Sequence, residues 1–302
     1  IWKLFNSRMK TFLDKKIYKE NVPPNFPVYY QPWFLNAVSD KWDALIHTRN
    51  DEIKWMWPID RLSKYFLEVL SSPSFCHENI PVIFDREYFY KHAFSPARIF
   101  SYSVLSDRRN ILSTLKGWNE EIRYRQYFDF ETYPHDYSEL QKNKRRKIRK
   151  SEATIIEKED SLINYQKLHK SSYNRRDLKA INLKRQERMF KIFKEHATQF
   201  LYVLYTDTGK PAAVSWALGY DNILYGINRA KNYSVKARGA QEYVIWNLIQ
   251  DVRNDFTHYD LGGSSIPGVR KFNLEMGAKE IEYKRYYQFK PSFLRHLAER
   301  LR

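Results

Sequence analysis

From Ala153 onward the chain alternates between the two-residue period of strands and the 3.6-residue period of helices, in an order that few folds accommodate. Ala153 to Glu157 reads as a short strand. Asp160 suits the N-cap of a helix carrying Leu162, Tyr165 and Leu168, and a second helix holds Leu183, Met189, Phe190 and Phe193. Phe200 to Tyr205, Ala212 to Leu218 and Ile223 to Asn228 form a three-strand antiparallel meander with turn residues in both corners. The most regular helix, about Gly239 to Arg253, bears the apolar stripe Ala240, Val244, Ile245, Leu248, Ile249 and Val252. A strand from Thr257 to Leu261, a helix from about Pro267 to Met276 and a strand from Glu280 to Phe289 complete the order. The pattern predicts an α/β chain with mixed sheets.

The first half is less regular. Phe26 to Tyr30 reads as a strand leading into a helix from Pro32 to Val38. Trp42 to Thr48 and Ile53 to Trp57 flank the hairpin signature at 49–52. Arg61 to Leu70 has helical spacing through Leu62, Phe66, Val69 and Leu70, and residues 75–118 show no clear period. Ile122 to Phe130 alternates, with Tyr124, Gln126, Phe128 and Phe130 on one face.

Near the midpoint, seven of the nine residues from Lys142 to Lys150 are basic. On a helix, Lys142, Arg145, Arg146 and Arg149 share one face. That face is either a phosphate-binding stripe or a solvated helix at a domain junction. The 302 residues suffice for two domains, divided at this shift into 1–151 and 152–302.

The net charge of +17 favours a polyanionic partner, such as nucleic acid, a phosphorylated metabolite or an anionic membrane surface. Hydrophobic residues at 43% and aromatics at 17% exclude a disordered chain. With Cys76 as the single cysteine, a disulfide framework or Cys-rich zinc site is excluded. The histidines lack helical ligand spacing, so no metal is expected. Nucleotide-binding Gly-rich loops, HExxH and the GxSxG elbow are absent. No apolar run of ~20 residues or signal-peptide core is present, so a soluble, cytoplasmic protein is expected. The chain opens on Ile1 without an initiator methionine, which leaves room for an upstream segment. The tail from Pro291 to Leu301 places Phe293, Leu294, Leu297 and Leu301 on one side. A helix closing on the body is the expectation, and a peripheral contact with an anionic membrane is the alternative.

The element order of the second half matches the acyl-CoA N-acyltransferase fold of the GNAT superfamily. Lys236-Ala237-Arg238-Gly239-Ala240-Gln241 resembles its pyrophosphate loop, with Gln241 where a small residue belongs. Tyr259-Asp260-Leu261-Gly262-Gly263, then Gly268-Val269-Arg270-Lys271-Phe272-Asn273 and Gly277, resemble the FemAB-type dual-GNAT transferases. Tyr30-Gln31-Pro32-Trp33, Trp42-Asp43 and Tyr127-Phe128-Asp129-Phe130 extend the similarity into the first half. The resemblance implies two tandem GNAT-like domains with a cleft between them. Domain 1–151 would be degenerate and face the acceptor, and 152–302 would carry the donor cleft. Peptidyltransferase members have Phe-Lys where this chain has Phe272-Asn273, which favours a thioester over aminoacyl-tRNA as donor.

What the resemblance implies for function is N-acyl transfer to an amine of a cell-envelope precursor or similar metabolite. Acyl-CoA is the expected donor and aminoacyl-tRNA its alternative. Tyr225, Arg229, Lys236, Arg238, Gly239 and Ala240 would hold the donor, helped by the positive end of the following helix. Asn228 and Asn273 would serve the reacting carbonyl, Asp260 would be a carboxylate or a turn anchor, and Tyr283 a general acid or a core residue. Trp33, Ser264, Ser265 and Arg270 would meet the acceptor, while the serines also suit a helix start. No clear general base is visible, and no obligate protein partner. The rival reading is a non-catalytic nucleic-acid-binding protein carried by the basic excess, although no nucleic-acid motif is present.

Overall fold

The computed structural model describes residues 9–64, 67–92, 101–112, 115, 117–151, 155–175, 181–235, 237–262 and 266–290. Two compact units result. One comprises 1–123 with 282–302, and the other is the continuous stretch 124–281. The division falls within strands, at neither side of the basic run, so the basic helix lies inside the second unit. The tail from Pro291 to Leu301 lies outside the described residues.

The first unit contains β1 (Met9–Leu13), α1 (Lys15–Asn21), α2 (Pro32–Val38), β2 (Trp42–Arg49), β3 (Glu52–Lys64), β4 (Leu67–Ser71), β5 (Val82–Ile83), α3 (Arg86–Lys91) and β6 (Ser101–Asp107). Next in the chain come β7 (Asn119–Asp129), α4 (Lys142–Ser151), β8 (Ile155–Lys158), α5 (Ile163–Arg175), α6 (Leu183–His196), β9 (Thr198–Tyr205), β10 (Pro211–Tyr220) and β11 (Ile223–Lys231). They are followed by α7 (Ala240–Val252), β12 (His258–Asp260), α8 (Pro267–Glu275) and β13 (Lys279–Lys290).

In the first unit the strand order is β1-β2-β3-β4-β6-β13, with β5 beside β3. The hairpin β2–β3 forms as its sequence predicts, turning on Asn50 and Asp51, whose φ values are +53° and +63°. Two expectations fail here. Arg61 to Leu70 is no helix but the arms of β3 and β4, paired from Asp60↔Ser71 to Lys64↔Leu67. Strand pairing overrides an apolar spacing that fits both periods. Val28–Tyr30 is a 3-10 turn in place of a strand, following Pro27. Helix α2 begins on Pro32, as the sequence indicates.

In the second unit the order is β7-β12-β11-β10-β9-β8. Helix α7 packs Val244, Ile245, Leu248, Ile249 and Val252 on one face of this sheet, against Leu204, Ala213, Ala217 and Leu224. Each of the fully buried Val, Ile and Leu side chains among these stabilises the fold by about 1.5–3 kcal/mol. On the other face, Tyr165 of α5 and Phe190 and Phe193 of α6 surround Trp216, with ring centroids 5.0, 6.2 and 5.9 Å away. Helix α5 starts later than its sequence suggests. Ser161 Oγ, not Asp160, accepts from a first-turn amide, that of Ile163, at 3.3 Å.

Both units share a plan of an antiparallel meander followed by a helix and a parallel strand. They also exchange their last strands. Strand β7 follows β6 in sequence but pairs with β12, from His258↔Asp129 to Asp260↔Tyr127. Strand β13 follows β12 but pairs with β6, from Lys284↔Asp107 to Lys290↔Ser101.

Among the described residues nothing lies within 4 Å of where a Cβ on Gly268 in α8 would stand, and its φ is not positive. Gly268→Ala should therefore raise stability by up to about 0.5 kcal/mol, read as a higher urea midpoint, because glycine loses more chain freedom on joining the first turn of a helix.

Candidate acyl-transfer site

Strands β11 and β12 run parallel for only three pairs, Ile223↔His258, Leu224↔Tyr259 and Tyr225↔Asp260. Beyond Tyr225, β11 continues to Lys231 in register with β10, which is its one strand partner there among the described residues, with a bulge between the pairs to Trp216 and Ala217. The sheet thus opens beside residues 226–231. Gly226 stands at the opening. An added Cβ there would meet the Asp260 carbonyl and the Tyr259 ring at 3.2 Å each. Tyr259 crosses this glycine, and its hydroxyl lies 3.5 Å from Ser215 Oγ.

The first unit has the matching parallel pair, β4 and β6, also over three residues. There the chain fills its own gap. Asn79 and Ser106 exchange main-chain hydrogen bonds at 2.9 and 3.0 Å, and Asn79 Nδ2 donates to the Pro58 carbonyl at 2.8 Å. The Tyr30 hydroxyl donates to Glu78 and accepts from the Ile80 amide, and Arg109 pairs with Glu78 at 2.5 Å. These bonds lock the bridging segment in place.

In the second unit, neighbouring residues of β11 serve opposite faces. The Asn228 amide nitrogen lies 3.1 Å from His169 Nδ1 and 3.4 Å from the Tyr173 hydroxyl, both on α5. His169 Nε2 in turn accepts from the Ile181 amide at 3.0 Å. Arg229 turns to the α8 side, donating to Asn273 Oδ1 at 2.9 Å, with its guanidinium 5.8 Å from the Phe272 centroid. Asn273 is 1% exposed, and its Nδ2 donates to Gln126 at 2.8 Å. Asn228 and Asn273 are thus not brought together.

Asp260 is buried and its Oδ1 accepts from the Gly262 amide at 2.8 Å, which is turn anchoring. Tyr225 is buried opposite Asp260. Arg270 forks onto Glu280 and lies 4.1 Å from the Tyr124 centroid. Tyr283 and Trp33 belong to the first unit. The face of β13 opposite Tyr283, carrying Tyr286 and Gln288, is the buried one, so Tyr283 is not a core residue. Lys236, Ser264 and Ser265 lie outside the described residues.

The loop before α7 differs from expectation in one respect. Gly239 has φ +81°, and an added Cβ would lie 2.1 Å from the Lys147 carbonyl oxygen. Its close approach is to the backbone of α4. The Ser151 hydroxyl also donates to the Arg238 carbonyl at 2.7 Å. The loop's other side borders a cavity of about 750 Å³, lined by Lys150, Lys231, Tyr233, Val235 and Arg238 and by one carboxylate, Asp207.

Helix α4 presents Lys142, Arg145, Arg146 and Arg149 to solvent, with Arg145 donating to the Ser138 carbonyl. Its buried face is Lys144, Ile148 and Ser151. Lys144 Nζ stands 3.2 Å from both Glu242 and Glu275 and 4.1 Å from the Phe272 centroid. Burial pushes the Glu242 carboxyl up. The hydrogen bond from Lys147 and the charges of Lys144 and Lys147 outweigh it and hold the carboxyl below its ordinary range. Sequence reasoning missed Lys144, Gln126 and Glu280. One available signal was Ile148, the run's lone aliphatic residue, four positions after Lys144. Another was Gln126, polar on an otherwise aromatic strand face.

Residues 138–285 match the model of an acetyltransferase (GNAT) domain. By sequence, no curated protein matches the chain. Among solved structures, FemX has 10% identity and a TM-score of 0.61, over 95% of this chain and 99% of its own. The C-terminal domain of a putative lysylphosphatidylglycerol synthetase from Agrobacterium fabrum has 13% identity and a TM-score of 0.53, over 78% and 81%. A tandem GNAT protein from the clavulanic acid biosynthesis pathway has 7% identity and a TM-score of 0.51, over 82% of each chain. The fold is that of tandem GNAT proteins, as the FemAB-type resemblance implies.

Proposed function

We propose that this chain, an N-acyltransferase of FemAB-type fold whose residues 138–285 form a GNAT domain, takes its acyl group from a thioester and delivers it to an amine. The observation that carries this is the opening of β11 from β12 after three paired residues. It leaves strand 226–231 free of β12 on the side where an acyl-pantetheine arm would lie. At the strand's end, the amides entering α7 and the side chains of Lys150, Lys231 and Arg238 suit a diphosphate. The acceptor is an amine of a cell-envelope precursor or similar metabolite, in keeping with the FemX-like fold. The filled gap in the first unit supports a single donor site, in the second.

Aminoacyl-tRNA is the second donor reading, favoured by the exposed stripe Lys142, Arg145, Arg146 and Arg149. Salt separates the two. Engaging roughly six phosphates makes affinity fall about a thousandfold between 50 and 200 mM salt. A CoA site with a buried arm weakens far less. Titrating CoA and total tRNA against salt should show CoA binding with a shallow slope. Steeply salt-dependent tRNA binding without CoA binding would reverse the assignment.

A further inference from the structure

Helix α4 turns two of its seven cations inward and the other five outward. Lys144 and Lys147 stand 3.2 and 2.9 Å from Glu242, and Lys144 also reaches Glu275 at 3.2 Å. Lys142, Arg145, Arg146, Arg149 and Lys150 are exposed, and among the described residues none of them pairs with a carboxylate. Arg145 donates to a carbonyl, that of Ser138, at 2.8 Å. Pairs such as Lys142 with Arg146 and Arg145 with Arg149 stand four positions apart, where like charges destabilise a helix. A face that only met water would gain by alternating its charges. Helix α6, on the other side of the sheet, does so. It exposes Lys184, Lys191 and Lys194 with Glu187 and Glu195 among them, and Lys194 lies 3.7 Å from Asp160.

The surroundings of this face decide what it fits. Proteins that hold single-stranded nucleic acid combine cations with aromatic side chains on which bases stack, and residues 142–151 contain no aromatic. Readers of duplex RNA span two successive minor grooves, more than one ten-residue helix covers. Helix α8 lies beside α4, joined to it by Lys144 through Glu275. It exposes aliphatic groups next to a cation, with Ile266 at its N-cap 39% exposed, Leu274 38% exposed, and Lys271 in solvent. Clustered cations beside exposed aliphatic side chains suit the headgroup region of a bilayer.

We propose that the outer face of α4, with the exposed edge of α8 beside it, docks the chain on a bilayer containing anionic phospholipid. The cations meet phosphate and acidic headgroups, which move sideways in the bilayer to match their spacing. That spacing runs about 10 Å from Lys142 to Arg149, at 1.5 Å per residue. The inner face of α4 keeps the stripe in place, since Ile148 is fully buried and the Ser151 hydroxyl donates to the Arg238 carbonyl at 2.7 Å. The docking goes beyond the donor assignment and is independent of which donor the chain uses.

The test is cosedimentation of the full chain with vesicles of phosphatidylcholine alone and of phosphatidylcholine with phosphatidylglycerol in a two-to-one ratio. The wild type should bind the second and not the first. Lys142→Gln, Arg146→Gln and Arg149→Gln together should weaken that binding about a hundredfold, at about fivefold per cation removed. The urea midpoint of this variant should be no lower than that of the wild type, because like-charge contacts are lost. If the triple variant fails to fold, Arg146→Gln alone decides, with a loss of about fivefold. Lys142→Arg, Arg146→Lys and Arg149→Lys together should bind as the wild type does, because a lipid surface reads charge. Lys184→Gln, Lys191→Gln and Lys194→Gln remove the same charge from α6 and should also leave binding unchanged. Equal weakening by the α6 set would reveal an effect of net charge alone and overturn the proposal. So would a wild type indifferent to phosphatidylglycerol. Total tRNA is titrated in parallel. If the glutamine set on α4 loses tRNA binding and keeps vesicle binding, the face belongs to nucleic acid and the proposal falls.

Discussion

Gly239→Val should destabilise the protein by about 3 kcal/mol or more, seen as a lower denaturant midpoint, with CoA affinity lost in parallel. Two causes act together. The backbone at Gly239 is left-handed, with φ +81°, which a β-branched residue adopts at a cost of roughly 1–2 kcal/mol. The added Cβ would also stand 2.1 Å from the Lys147 carbonyl oxygen, and main chain cannot swing aside as a side chain does. Helix α4 would have to move, carrying Ser151 away from the Arg238 carbonyl. A variant that kept full stability and lost only CoA binding would show that the glycine is reserved for the ligand.

The second large effect lies on the same helix. Lys144→Met should cost about 3–5 kcal/mol at neutral pH, because it leaves Glu242 and Glu275 beside an apolar side chain where an ammonium stood. Lys147 remains 2.9 Å from Glu242, which favours the lower part of that range. The penalty should depend on pH. In the wild type the Glu242 carboxyl is held below its ordinary value, so its contribution is present above the unfolded pKa and lost as pH falls through the folded one. Without Lys144 the folded pKa rises, and the stabilisation on going from acid to neutral pH shrinks. Urea midpoints at pH 7 should therefore separate the two proteins more than midpoints near pH 4. An equal separation at both values would mean that Lys144 acts through packing on Phe272 alone.

Local period and turn chemistry made most of the second unit legible. The meander has punctuating turn residues and α7 a clean apolar stripe, and each element's neighbours confirm its type. Arg61 to Leu70 was illegible because apolar residues at Leu62, Phe66, Val69 and Leu70 suit a helix and a hairpin equally. Only the partner strand decides. The site was half legible. Arg229 and Asn273 could be named from the family pattern, but their separation from Asn228 depends on which face each β11 residue takes, and the bulge beside Trp216 disturbs that alternation. Gln126 reaches Asn273 across 147 positions of sequence, which no local window spans. Lys144 was hidden because six other basic residues surround it in the run, and its burial depends on where α7 places Glu242.

The exchange of last strands sets a timetable for synthesis. A ribosome delivers residues in order, and domains ordinarily fold in that order, the N-terminal one first. Here the first unit has β1 to β6 early but must wait for β13, which emerges only after all of 124–281 has been made. The second unit is one unbroken stretch and already holds β7 when its own last residues appear. The later half can thus close before the earlier half, and until it does, the nascent first unit carries β6 with an unpaired edge.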